Sequence, residues 1–256
     1  MVVDLVITDG VAEIVLNDPA KLNALDEQAL ADLGSAFDRA EAQGVRAVIL
    51  RGEGRAFCAG RDISHVTPET DDALGYLDGL VTPLLRRIDA FPAPTFAIAT
   101  GACLGVGLGL LIACDVVYVA ESAKIGSPFA NLGATLDSGG HALFFERLGA
   151  HRTLDLIYTA ELMSGTEAVQ LGLFSRVVPD ADVLEFTRER ARRVAQGATG
   201  AFLASKRLVH QLRDDRVGLW TSMAAENVVQ GELCSSADYA EGFAAFQQKR
   251  RPVFSR

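Results

Sequence analysis

From Ala90 to Cys114 the chain carries no charged side chain, a stretch long enough on count alone to span a bilayer. Its punctuation decides otherwise. Pro92, Pro94, Gly101, Gly105, Gly107 and Gly109 interrupt it, so it reads as a buried strand (Thr95–Ala99), a tight turn and an apolar helix with a glycine face. A chain that buries such a segment needs a large core. With 49% apolar and 22% charged residues, this one has the material for it, and disordered, collagen-like and coiled-coil classes are excluded.

Around that segment, short β-rich runs alternate with helical patterns. Leu5–Thr8, Val11–Leu16, Val45–Leu50 and Val116–Val119 read as strands. Asp26–Gln43 reads as a helix with Asp26 as N-cap and Leu30, Leu33 and Phe37 on its buried face. Beyond about residue 138 the pattern is almost wholly helical, apart from the apolar run Phe174–Val178 before Pro179. Strands separated by helices imply crossover units in an α/β fold. No repeat or linker divides the chain. A core over residues 1–195 and a helical region over 196–256 within one functional unit are expected, the latter free to pack back or to meet other subunits.

The net charge is −9, which disfavours nucleic acid or an anionic membrane as partner. Cys58, Cys103, Cys114 and Cys234 are far apart, without metal-ligand or disulfide spacing, and suggest reduced, buried thiols in a cytoplasmic protein. No metal site is expected. The start, Met1-Val-Val-Asp, lacks a basic leader pattern.

Three segments invite a chemical reading. Gly52–Asp62 follows a strand and is glycine-rich, suiting either close approach of a ligand to backbone N–H groups or an ordinary surface turn. Gly101–Gly109 fails the dinucleotide pattern, because the third glycine of G-x-G-x-x-G would fall on Leu110. It leaves a helix N-terminus suited to an oxyanion, or glycines for close helix–strand packing. Asp137-Ser138 precedes an apolar helix, and on its own reads as an N-cap about twice as readily as a general base.

Taken together, the motifs resemble the enoyl-CoA hydratase/isomerase (crotonase) superfamily. They are Asn23-Ala-Leu25, Phe57-Cys-Ala-Gly-Arg-Asp-Ile63, Gly101–Asp115, Thr166–Pro179 and Glu241–Phe254, in order over essentially the whole chain. The resemblance implies a ClpP/crotonase-like ββα spiral with C-terminal helices that build a homotrimer or a dimer of trimers. It also implies an acyl-CoA substrate whose thioester oxygen lies between the backbone N–H groups of Arg61 and Val106. The coenzyme A part would run past Lys21, Leu22 and Ala24 and along Ala59, Arg61, Asp62, Ile63 and Gly105. Phe246 and Lys249 would reach it from a neighbouring subunit. Coenzyme A enters only as part of the substrate thioester, and no further cofactor is implied.

The two glutamates of a typical hydratase of this family fall here on Gly109 and Phe129, which disfavours water addition. Asp137 falls where some isomerases of the superfamily carry a carboxylate. Pro128–Gly133 is similar to peroxisomal-type enoyl-CoA isomerases, and Asp137–Gly140 to the ring-opening isomerase of phenylacetate degradation. The expected reaction is a double-bond shift by one carboxylate, with Glu146 and His141 as weaker candidates. The alternatives are a hydratase, another crotonase-type lyase or hydrolase, and a non-catalytic acyl-CoA-binding subunit. Tyr76, Leu77, Leu80, Leu84 and Phe145 are candidates for the acyl pocket.

Overall fold

The computed structural model describes residues 2–64, 66, 71–215, 228 and 236–254, without the side chains of 243, 246 and 247. The strands are β1 (Val2–Thr8), β2 (Val11–Asn17), β3 (Ala47–Gly52), β4 (Thr95–Ala99), β5 (Ala102–Leu104), β6 (Val116–Ala120), β7 (Lys124–Gly126), β8 (Met163–Ser164) and β9 (Arg176–Val178). They form a long sheet in the order β1-β2-β3-β4-β6-β9 and a short one in the order β5-β7-β8. β1 pairs antiparallel with β2, and every later neighbour in the long sheet is parallel. Successive passes of the chain give one strand to each sheet, β4 then β5 and β6 then β7. This is the spiral expected.

The helices are α1 (Glu27–Ala42), α2 (Ala73–Tyr76), α3 (Thr82–Asp89), α4 (Val106–Ile112), α5 (Gly140–Thr159), α6 (Gly165–Gln170), α7 (Val183–Ala195), α8 (Thr199–Asp215) and α9 (Ala237–Gln247), with the wider π-turns of Leu77–Val81 joining α2 to α3. The two-residue period of the strands sorts the core. Val48, Leu50, Ala97, Ala99, Val117 and Val119 face the main core under α1, α3 and α4. Ala47, Ile49, Phe96, Ile98, Tyr118 and Ala120 face the second core, which α7 covers with Val183, Ala191 and Ala195. Strands buried on both faces explain the near-continuous apolar runs in the sequence.

Asp26 caps α1 as expected, its carboxylate accepting the Ala29 N–H at 2.7 Å. The uncharged Ala90–Cys114 stretch divides into β4, β5 and α4, and no helix among the described residues is long and apolar enough to cross a membrane. The part of the chain beyond residue 138 is less purely helical than its pattern suggests, since β8 also lies there and pairs with β7. Cys58, Cys103 and Cys114 are buried free thiols, and Cys234 lies outside the described residues. Of the apolar surface residues assigned to the helical tail, Val228 is exposed; Trp220, Met223, Val229 and Leu233 lie outside the described residues.

Charge ties α7 and α8 to the sheet. Arg188 on α7 donates to both oxygens of Glu13 at 2.9 and 2.8 Å, and Arg51 donates to the same carboxylate at 2.6 Å. On α8, Lys206 Nζ reaches the Phe91 carbonyl and the Asp115 carboxylate, both at 3.1 Å. Burial pushes the Glu13 carboxyl up, but the guanidinium groups of Arg188 and Arg51 outweigh it and hold the group below its ordinary 4.5. A carboxyl depressed in the folded state contributes stability above the unfolded value, and that contribution is lost as pH falls through the folded one. Glu13→Gln should therefore cost about 1–3 kcal/mol at neutral pH, a deficit that urea denaturation should show shrinking as pH drops below 4.5.

Candidate active site

The segment after β3 is laced to its neighbours on both sides. Phe57 N–H donates to the Thr100 carbonyl at 2.7 Å, Cys58 N–H to Ala102 at 2.9 Å, and Leu104 N–H returns to Cys58 at 3.0 Å. On the other side Ala59 N–H donates to Leu22 at 3.0 Å, Leu25 N–H to Gly60 at 2.8 Å and Asp62 N–H to Leu25 at 2.8 Å. The fully buried Asn23 locks this arrangement. Its amide donates to the Glu53 and Ala56 carbonyls at 3.0 and 2.8 Å, while its oxygen accepts the Asp18 N–H at 2.8 Å.

Leu25 takes up the Gly60 carbonyl and the Asp62 N–H, so the Arg61 N–H between them faces away from Leu25 and donates to no backbone carbonyl in this loop. Gly60 turns at φ +94°, and a Cβ there would stand 2.8 Å from Leu104 O and 3.6 Å from Val106 N. Only glycine fits. Val106 opens α4 behind Gly105, and its N–H has no acceptor within the helix. Two free backbone donors thus lie close together, a geometry suited to an oxyanion.

The Arg61 side chain lies over the Tyr76 ring at 4.1 Å and grips Asp71 with two hydrogen bonds, at 3.0 and 2.7 Å. Lys21 Nζ pairs with Asp62 at 2.7 Å, which ties the Leu22–Ala24 loop to the residue after Arg61. With Lys21 and Ser64 both donating to it, the Asp62 carboxyl is held far below the ordinary carboxylate range. Ile63 is exposed. Burial pushes the Cys58 thiol up to about 12, against the Gly60 N–H beside it, so it is a packing residue and not a thiolate nucleophile.

Asp137 is not the helix cap that its position suggests. The capping position of α5 is Gly139, at φ +88°, and no side chain bonds the helix end. Ser138 is also left-handed, at φ +52°. Among the described residues, the buried Asp137 Oδ1, Ser138 Oγ and Ser127 Oγ lie within hydrogen-bond geometry of no partner. Burial raises the Asp137 carboxyl above its ordinary 3.8, while the neighbouring Ser138 hydroxyl, close enough to turn toward it and donate, and the His141 charge act against the rise. Its charge in turn is felt at the buried Tyr76 hydroxyl. His141 and Glu146 are exposed on α5.

The two positions without a glutamate are filled. A Cβ on Gly109 would meet Ser138 Cβ at 2.5 Å, Ser138 O at 3.0 Å and Leu85 Cδ1 at 3.3 Å. A Cβ on Gly105 would meet the Phe129 ring at 2.8 Å. Phe129 therefore packs beside Gly105, and Ser138, with its Cβ and carbonyl oxygen, occupies the space above Gly109. Among the acyl-pocket candidates, Tyr76 and Leu84 are buried, Leu77 is half-buried, and Leu80 and Phe145 are exposed at 38% and 54%.

The tail folds back on α9. Arg250 makes a two-point contact with Glu241 at 2.6 and 2.7 Å, and Val253 N–H donates to the same carboxylate at 2.7 Å. These donors hold the Glu241 carboxyl down to about 2. Arg250 is consequently engaged locally, whereas Lys249 is exposed at φ +55°. The Phe246 side chain lies outside the described residues.

Gly109→Ala tests how tightly this site is closed. In an open helix the change would gain roughly 1 kcal/mol of propensity. Against the Ser138 backbone it should instead cost about 1–3 kcal/mol through overpacking, measured by chemical denaturation, and Gly109→Glu should produce no water addition.

The family model for enoyl-CoA hydratase/isomerase matches residues 6–256. A probable enoyl-CoA hydratase of Rhodobacter capsulatus is 36% identical, covering 97% of this chain and 96% of its own. The 1,2-epoxyphenylacetyl-CoA isomerase of Escherichia coli is 30% identical, covering 96% and 95%. Among solved structures, an enoyl-CoA hydratase subunit of Geobacillus kaustophilus superposes with a TM-score of 0.89 at 32% identity, over 100% of this chain and 98% of that one. The spiral is thus that of the crotonase fold, and the chain belongs to the enoyl-CoA hydratase/isomerase family.

Proposed function

We propose that the protein isomerises the double bond of an unsaturated acyl-CoA, with Asp137 as the single proton carrier. The observation that carries this reading is Ser138 lodged over Gly109, where a Cβ would meet Ser138 Cβ at 2.5 Å and its carbonyl oxygen at 3.0 Å. That contact leaves no room for a carboxylate on α4, while the residue just before Ser138 in the chain, Asp137, has its Oδ1 buried. The E. coli relative, named an isomerase, supports the same side.

In this reading the thioester oxygen accepts hydrogen bonds from Arg61 N–H and Val106 N–H. Asp137 removes a proton from the carbon next to the thioester, and the negative charge moves onto that oxygen as an enolate. The two donors stabilise it, each worth roughly 3–4 kcal/mol in sites of this kind. Protonated Asp137 then returns the proton two carbons further on, and the double bond moves into conjugation. Desolvation that raises a carboxyl strengthens it as a base. Lys21, Leu22, Ala24, Ala59, Asp62, Ile63 and Gly105 border the path of the coenzyme A part.

Residues 1–195 form the catalytic core and 196–256 complete the same functional unit. The exposed Lys249, with Phe246, reaches the coenzyme A of a neighbouring subunit in a trimer or a dimer of trimers. Light scattering on purified protein reads that assembly directly, and a monomer would remove the shared site.

Matched 2-enoyl and 3-enoyl thioesters, with product mass and double-bond position followed separately, test the reaction. Isomerisation conserves mass, whereas hydration adds a water. Asp137→Asn should keep substrate affinity while turnover falls by roughly 10²–10⁴. Because the base must be ionised, wild-type kcat/KM should rise with pH through a midpoint above the ordinary aspartate value of 3.8. Near-normal turnover in the folded variant would return Asp137 to a structural role.

A further inference from the structure

A trans peptide points its C=O and its N–H to opposite sides. The direction of the Arg61 N–H is therefore set by whatever holds the Gly60 carbonyl, which here is the Leu25 N–H at 2.8 Å. Leu25 and Arg61 form an isolated bridge outside any strand. Gly60, at φ +94°, also lacks the Cβ that would stiffen its backbone. A single bridge beside a glycine needs side-chain support if the donor is to keep its aim.

Tyr76 supplies that support from two sides. It is the buried residue of the four in α2. Its hydroxyl donates to the Leu25 carbonyl at 3.3 Å, the same oxygen that accepts the Asp62 N–H at 2.8 Å, and a carbonyl has lone pairs for both. Its ring lies against the Arg61 guanidinium at 4.1 Å, whose charge Asp71 meets with bonds of 3.0 and 2.7 Å. One side chain thus touches both members of the bridge. Burial pushes the Tyr76 hydroxyl up, against the Arg61 charge, so it stays protonated as a donor. Phenylalanine would fill the same space with no polar atom to bury, so packing alone does not call for tyrosine.

We propose that Tyr76 is a positioning residue: its ring and hydroxyl hold the Leu25–Arg61 bridge closed and keep the Arg61 N–H aimed at the thioester oxygen. The proposal rests on the reading of Arg61 N–H and Val106 N–H as oxyanion donors. It requires neither Asp137 as base nor a double-bond shift.

The probe is acetoacetyl-CoA, a thioester whose second carbonyl lets it ionise to an enolate with its own ultraviolet band. Bound to wild-type protein, a larger share should be enolate than in free solution at the same pH, because aimed donors favour the oxyanion. Tyr76→Phe keeps the ring and should lower the bound enolate-to-ketone ratio about three- to tenfold, the range for one hydrogen bond. Butyryl-CoA, whose neutral carbonyl accepts more weakly, should lose no more than about twofold in affinity. Tyr76→Leu removes the ring too, and should lower the ratio further and quicken hydrogen exchange of the Leu25 amide. The near-isosteric phenylalanine variant guards against a folding defect. An unchanged ratio in both variants would overturn the role. So would equal losses of affinity for both thioesters, which would make Tyr76 only a wall of the acyl pocket. No gain of enolate on binding to wild-type protein would overturn the donor pair and the proposal with it. A gain of enolate that falls in the Tyr76 variants, in a protein that isomerises no 3-enoyl thioester, would support the positioning role and remove the isomerase reading alone.

Discussion

Cys58 exchanges hydrogen bonds with β5 on both sides, donating to Ala102 and accepting from Leu104, while Gly60 and Asp62 bond Leu25 across the other edge. This double lacing turns a glycine-rich loop into an extra strand between two fixed neighbours. Its consequence is the placement of two main-chain donors, Arg61 N–H and Val106 N–H, without any side chain at the point of charge. Backbone donors held this way need no reorganisation when an oxyanion forms. The buried Asn23 amide and the left-handed Gly60 are conditions of the same arrangement, and neither contributes chemistry of its own.

The proposed isomerisation rests on what lies one helical turn further along α4. There Ser138 takes up the space outside Gly109, and Phe129 packs over Gly105. The remaining carboxylate, Asp137, is desolvated and unpaired at Oδ1. A buried, unpaired charge destabilises the fold. In the proposed isomerisation that cost is offset by proton transfer, which needs a basic carboxylate.

The long buried strands were legible because strands covered on both faces become apolar runs, and α1 was legible from its cap and its period. β5, β7 and β8 are two or three residues long, too short for any period to register. The helical path through α2 and α3 was legible in principle, since Val81, Leu84 and Ile88 are buried at helical spacing, but Pro83 and the wide turns of Leu77–Val81 blur the pattern. At the site, the donor pair and Asp137 were placed through the resemblance. The cap reading of Asp137 failed because positive φ at Ser138 and Gly139 leaves no mark in a sequence that also has good capping residues. The closure of Gly109 by Ser138 joins positions far apart in the chain, and no local signal carries it. Asn23 was noticed only as part of a motif, although a buried asparagine in a turn is a common bridge between loops.

The most direct test of a single carboxylate working in a site without a catalytic water follows one hydrogen. A 3-enoyl-CoA deuterated on the carbon next to the thioester should yield a conjugated product of unchanged carbon–oxygen composition, with part of the deuterium carried two carbons along by Asp137. Complete exchange of that deuterium with solvent, accompanied by a product heavier by one water, would contradict the account and require a second, water-holding group in the site.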